Sequence, residues 1–184
     1  AVKIFHNLAY ANYFLDLHRT LEIHLRQLNL AERLGESLEL AHTYSSHGVV
    51  CSLIPLHKRA MKYQLAGLEM RKRLDDRWGV GQSYAFLGVC SYYRTEISQA
   101  VEYFKQSIRI LEGMGDQWEI EAAYSHLGFC HIFLGEIDDA ERVNRVLLDL
   151  TEEIRDLKFL AVAKTSLAEV DLMRGDLERA LKHV

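Results

Sequence analysis

Trp78-Gly79-Val80-Gly81-Gln82-Ser83-Tyr84-Ala85-Phe86-Leu87-Gly88 decides the fold, because its main letters return forty residues later. Tyr84 and Gly88 are followed by Tyr124 and Gly128 and preceded by Tyr44 and Gly48. Ala60, Ala100, Ala140 and Ala180 keep the same step. Self-similarity at roughly 20–50 residues marks a repeat array, in which each unit buries its apolar face only by stacking on its neighbours. Stacked on this period, residues 1–184 read as one solenoid with units 1–40, 41–80, 81–120 and 121–160 and a partial fifth, 161–184. Leu8 and Thr20 stand in the glycine and alanine columns of unit one, and Ala168 in the glycine column of unit five.

Each unit predicts two helices. In unit three, helix A covers 77–93, with Val80, Tyr84, Leu87 and Cys90 on one face at three- and four-residue spacing. Helix B covers 97–113, with Ile97, Ala100, Val101, Phe104, Ile108 and Leu111 as its stripe. Gly135-Glu136, Gly175-Asp176, Thr95-Glu96 and Pro55-Leu56 are the A-to-B turns. Gly115-Asp116 joins one unit to the next, its glycine suiting a left-handed C-cap. Asp116 is placed to cap the following helix, with Glu119 three residues on. Glu36, Asp76 and Asp156 fill the same acidic column. Gly88 and Gly128 lie inside helix A, where glycine costs about 1 kcal/mol relative to alanine. That recurring cost implies close approach of helix B, with Ala100 and Ala140 as the matching small residues.

The chain is 49% hydrophobic and 26% charged, a folded composition rather than a disordered one. A net charge of −4 does not suggest nucleic-acid binding, which usually shows a basic face. The basic clusters His57-Lys58-Arg59 and Arg71-Lys72-Arg73 read as solvated faces. No apolar run approaches the roughly 18–20 residues of a membrane span, and no basic leader with an apolar core opens the chain. Ala1 is not an initiator Met and Val184 falls inside a helical pattern, so the chain reads as a segment of a larger protein. Cys51, Cys90 and Cys130 sit on apolar faces and read as reduced thiols of a cytoplasmic protein.

His47 with Cys51, and His126 with Cys130, are four residues apart and each offer two zinc ligands on one face. Two ligands do not make a site, so these are expected in the core, with no metal and no cofactor. There is no phosphate-binding glycine loop, no His-Glu-x-x-His and no Gly-x-Ser-x-Gly, so no enzyme is expected.

Tyr84, Leu87, Gly88, Ala100 and Phe104 resemble the tetratricopeptide repeat at that motif's own spacings, and Tyr124, Leu127, Gly128 and Ala140 repeat the match. The unit is roughly six residues longer than the usual one, or about 9 Å of helix. Gly115-Asp116-Gln117-Trp118 and Asp75-Asp76-Arg77-Trp78-Gly79 are similar to the long repeats of bacterial signalling proteins: STAND-type and LuxR-like regulators and sensor kinases. The resemblance implies an all-α fold, a right-handed superhelical solenoid of antiparallel helix pairs, with the A helices lining a concave face. It carries the groove onto His42, Ser45, Val49 and Ser52, then Gln82, Ala85, Val89 and Tyr92, then Ser125, Phe129 and Ile132, then Thr165 and Glu169. The co-chaperone members clamp a carboxylate with Lys, Arg and Asn; Ser45, Ala85, Ser125, Val49, Val89 and Phe129 stand here instead. The implied role is a protein- or peptide-binding scaffold within a cytoplasmic signalling or regulatory protein. The alternative is a sensing arm that binds a small molecule or signal peptide. Neither nucleic acid nor membrane is an expected partner. Self-association through the cut repeat ends, where Ala180 and Leu181 lie, is a further expectation.

Overall fold

The computed structural model describes Ile4, Leu8, residues 15–54 and residues 56–183, and all statements of absence below concern these. Pro55, expected in a turn, most of the stretch expected to hold the first helix of unit one, and Val184 lie outside them. The described helices are α1 (Leu17–Leu34), α2 (Leu38–Leu53), α3 (His57–Arg73), α4 (Arg77–Tyr93), α5 (Ile97–Leu111), α6 (Gln117–Leu134), α7 (Ile137–Ile154), α8 (Leu157–Met173) and α9 (Leu177–Leu181). No strand occurs among the described residues. The even-numbered helices are the A helices of successive repeats. Helix A of unit three ends at Tyr93 as expected, while helix B stops at Leu111, two residues short of the expected Ile97–Gly113 span.

The caps explain where the A helices begin. Asp116 accepts from the Glu119 amide at 3.2 Å, Asp156 from Lys158 and Phe159, and Asp76 from Gly79 at 2.9 Å. A side-chain oxygen at that position satisfies an amide the first turn leaves open. Glu36 departs from its column. Ser37 caps α2 instead, accepting from Leu40 at 3.2 Å, because its short hydroxyl sits next to the turn. Glu36 reaches outward to Arg73 at 2.9 Å, which holds its carboxyl below the ordinary range.

The turns share one backbone device. Gly35, Asp75, Gly115 and Arg155 have positive φ between repeats, and Thr95, Gly135 and Gly175 have it within repeats. A left-handed residue therefore recurs every twenty positions from 75 to 175. Glycine takes this conformation without steric cost, whereas Asp75, Thr95 and Arg155 bear it with a Cβ.

The chain divides into two compact units, Ala1–Cys90 and Ser91–Val184. In the first, α1 packs on α2 and α2 on α3. Ala31, Leu40, Ala41 and Met70 form one apolar cluster there, and Cys51, Ala60 and Cys90 another. In the second, α5 to α9 pack in sequence and α6 also touches α8. Leu147, Phe159 and Ala163 form its cluster, with Tyr124 and Val162 against them. Every residue of the expected α5 stripe is buried, from Ile97 to Leu111.

The close approach at the glycine column is made differently from the sequence expectation. A Cβ on Gly48 would lie 2.6 Å from the Gln64 amide, and one on Gly128 would lie 2.6 Å from the Asn144 amide. The alanines Ala60 and Ala140 are fully buried, but the side chain one turn beyond each covers the glycine. Gln64 donates to the Ser45 carbonyl at 2.7 Å and Asn144 to the Ala140 carbonyl at 2.9 Å. Those bonds hold two buried amides over the glycines.

Candidate functional site

The open side of the A helices is built from residues that the caps and the glycine column leave unburied. In the first unit His42, Val49 and Val89 are partly exposed. In the second, Tyr92, Phe129 and Ile132 are partly exposed, and Thr165 and Glu169 are fully so. Ser45, Ser52, Gln82, Ala85 and Ser125, expected in the groove, are buried. The reason is local bonding. The Ser45 hydroxyl donates to the Ala41 carbonyl and that of Ser52 to the Gly48 carbonyl, both at 3.2 Å, so these polar groups need no water. Ser52 also donates to Cys90 Sγ at 2.9 Å, which draws it between α2 and α4.

Gln82 is held by Arg71, and this corrects the reading of 71–73 as a solvated cluster. Lys72 and Arg73 are exposed, paired with Glu69 and Glu36. Arg71 is buried at 1% exposure. It donates to the Gly79 carbonyl, to Ser83 Oγ at 3.2 Å, to Gln82 Oε1 at 2.9 Å and to His42 Nδ1 at 3.2 Å. The Asp76 carboxylate stands 3.8 Å from its Nε. An arginine never accepts, so Nδ1 of His42 is the acceptor and the ring carries its proton on Nε2. Gly79 is required here, since a Cβ would meet Asp76 and the Arg71 side chain.

In the second unit the open face is aromatic. Tyr92 lies edge-on to Phe133, with ring centres 6.5 Å apart, and edge-on to Tyr93 at 6.1 Å. Burial raises the Tyr92 hydroxyl above its usual range, with Cys130, Tyr93 and Glu169 adding to it. Phe129 lies edge-on to His126, which stacks on Phe104 at 5.4 Å. Burial keeps His126 neutral-leaning, its pKa lowered, while its Nδ1–H donates to the Ala122 carbonyl at 2.7 Å. Phe133 was not among the expected groove residues. Its column is Leu53, Tyr93, Phe133 and Met173, 42%, 48%, 64% and 48% exposed, so each A helix ends in an open apolar side chain. The forty-residue step alone would have found it.

The two histidine–cysteine pairs are core groups. His47 Nε2 lies 3.5 Å from Cys51 Sγ, and its Nδ1 lies 3.1 Å from His24 Nε2. Burial pushes the Cys130 thiol up to about 12, far from the thiolate a metal needs. The group with ligand-like spacing among the described residues is elsewhere: His131, Glu136 and Asp139, with ligand atoms within 4.8 Å. There His131 Nδ1 donates to Glu136 at 2.6 Å and Arg142 pairs with Asp139, so the chain supplies its own partners. At the rim of α7, Glu141 receives Arg174, Arg145 and Arg179, which hold its carboxyl down to about 2. No described helix is long and apolar enough to cross a membrane.

No protein-family model matches the chain, and a search of curated proteins finds no match. Solved structures do match. A Rap protein complexed with competence and sporulation factor aligns at 17% identity and a TM-score of 0.85, over 99% of this chain and 51% of that one. BtubC (BKLC) from P. vanneervenii aligns at 15% and 0.81, over 100% of this chain and 76% of that one. A STAND ATPase with a tetratricopeptide repeat sensor from Pyrococcus horikoshii aligns at 14% and 0.81, over 96% and 27%. This chain thus spans about three quarters, half and a quarter of proteins to which it is similar. At such identities the likeness establishes the fold, and with the forty-residue helix pairs it makes this an all-α repeat of the tetratricopeptide type.

Proposed function

We propose that the chain is a non-catalytic scaffold that binds a protein or peptide segment on the A-helix face, within a larger cytoplasmic signalling or regulatory protein. The observation that carries this is the partly open apolar surface of Tyr92 on α4 and Phe129, Ile132 and Phe133 on α6, where Tyr92 and Phe133 meet edge-on. Aromatic anchors with low rotamer entropy supply most of the energy at protein interfaces. Val49, Val89 and His42 of the first unit, and Thr165 and Glu169 of the second, complete the proposed contact residues. Replacing Tyr92 and Phe129 together by alanine should weaken binding of a peptide selected on this face by 10-fold or more, at unchanged helical content by circular dichroism (about 1.4 kcal/mol per decade). Unchanged affinity moves the site off the A helices.

A sensing role is the second reading, favoured by two of the similar structures. One is a Rap protein solved with a signalling factor, and the other carries its repeats as the sensor of a STAND ATPase. In this reading the same face takes a small molecule or signal peptide and biases an attached effector. A nucleotide-binding module beside this segment in the parent protein would favour it.

A further inference from the structure

We infer that the A-to-B turn of unit four is a divalent transition-metal site, with His131, Glu136 and Asp139 as its protein ligands and Zn²⁺ as a fitting ion. The inference is independent of the groove reading, and each can fail alone.

Local structure brings the three donors together. His131 stands in the last turn of α6, where its ring is buried. Gly135 turns the chain with φ at 73°, and the Glu136 amide returns to the His131 carbonyl at 2.9 Å. Glu136 is then the N-cap residue of α7, and Asp139 lies in the first turn of that helix. One ligand atom from each residue lies within 4.8 Å of the others. Tetrahedral coordination at about 2.1 Å sets such atoms about 3.4 Å apart. Both carboxylates are nearly half exposed, so side-chain rotation closes the difference onto the fixed imidazole.

The turn does not need these residues in order to form. In unit three the same positions hold Ser91, Glu96 and Gln99, and in unit five Asp171, Asp176 and Arg179. The same amide-to-carbonyl bond closes both turns, at 3.0 and 2.9 Å. In unit five Arg179 reaches Asp171 at 3.4 Å, so that corner carries its own cation. Unit four has an imidazole and two carboxylates at those positions. Arg142 pairs with Asp139 from outside the three, in a mostly exposed contact of a kind that contributes little and yields to a stronger ligand. His131 gives its Nδ1–H to Glu136 at 2.6 Å, and its Nε2 is buried with no partner among the described residues. Burying a ring with one nitrogen unmatched is a cost that the corner does not require, and a ligand role accounts for it.

The donor set selects the ion. Binding moves the imidazole proton from Nδ1 to Nε2, which leaves Nδ1 as a neutral ligand beside two carboxylates that balance a dication. A neutral imidazole suits Zn²⁺ and its transition-metal neighbours, whereas Mg²⁺ and Ca²⁺ take oxygen ligands and more of them. Three protein ligands leave a fourth position for water or for a donor from a partner. No hydrogen bond from Nε2 orients the ring, which lowers affinity about 10–100-fold relative to a fully supported site.

The test is titration of the chain, stripped with a chelator and then freed of it, with Zn²⁺ by calorimetry and with Co²⁺ by visible absorption. One equivalent should bind with a Kd at or below about 50 µM and raise the melting temperature. His131→Gln and Asp139→Asn should each weaken binding tenfold or more. Asp139 is at the surface, so its variant should keep the melting temperature of the metal-free chain, which separates lost binding from lost folding. Excess Mg²⁺ should not displace the ion. Absence of binding overturns the inference, as does binding that both substitutions leave unchanged, the mark of an adventitious ion only. Displacement by Mg²⁺ would show a general attraction of cations to the acidic surface and overturn it as well.

Discussion

Thr95 holds φ at 61°, and Arg155 and Asp75 hold 63° and 54°. An L residue in that region places its Cβ against the following carbonyl at a cost of about 1–2 kcal/mol, and a β-branched one is the least suited. The equivalent turns use Gly135 and Gly175. Thr95→Gly should therefore raise stability by about 0.5–1 kcal/mol after glycine's greater chain entropy is deducted. Thermal unfolding checks this, and an unchanged or lower melting temperature would show that the turn carries no strain. These residues were legible as turns but not as left-handed sites. Nothing in Thr-Glu or Arg-Asp announces a positive φ; the register with Gly135 and Gly115 does.

At the scale of the element, the sequence pattern located the helices because their ends are written in caps and their faces in spacing. Asp76, Asp116 and Asp156 do what their column implied, and the α5 stripe is buried throughout. What the pattern did not supply is the filler over the glycines. The period marks a small residue but not which side chain comes down on it, and the amides of Gln64 and Asn144 do not repeat at unit three, where Phe104 stands. Gly128→Ala should cost about 1–3 kcal/mol, since Asn144 is fully buried and cannot swing into solvent. Combining it with Asn144→Ala should recover part of that loss, with a coupling of about 0.5–3 kcal/mol in a double-mutant cycle. Strict additivity would place the pressure on some other neighbour. The same limit applied to the groove. Ser45 and Ser52 look solvent-facing by type, yet a serine bonded to its own helix is as buriable as alanine.

The whole molecule carries a pH dependence in each unit. Burial, then Arg59, lowers the pKa of His47 in the first, and burial lowers that of His126 in the second. Folded values below the unfolded one mean that the unfolded chain takes up protons first. Stability is then full above about pH 6.5 and is lost as pH falls below it. Melting temperature should drop between pH 7 and pH 5, and His47→Gln with His126→Gln should flatten that slope whatever it does to the midpoint. A slope unaltered by both changes would assign the protons to other groups. The fold itself was legible at this scale because a repeat array needs only nearest-neighbour contacts, which a single period encodes. The proposed binding face was legible only in part, because its columns vary from unit to unit while the structural ones do not.

The left-handed residue at every twentieth position gives the chain a grammar of growth. A segment cut at two such joints, from Asp76 to Gly115 for instance, carries its own cap, both of its helices and its closing bend. Copying it in tandem would require no new corner to be invented, only a fresh open face. Lengthening the array and changing its open face are thus separable events, written in different letters of the same forty.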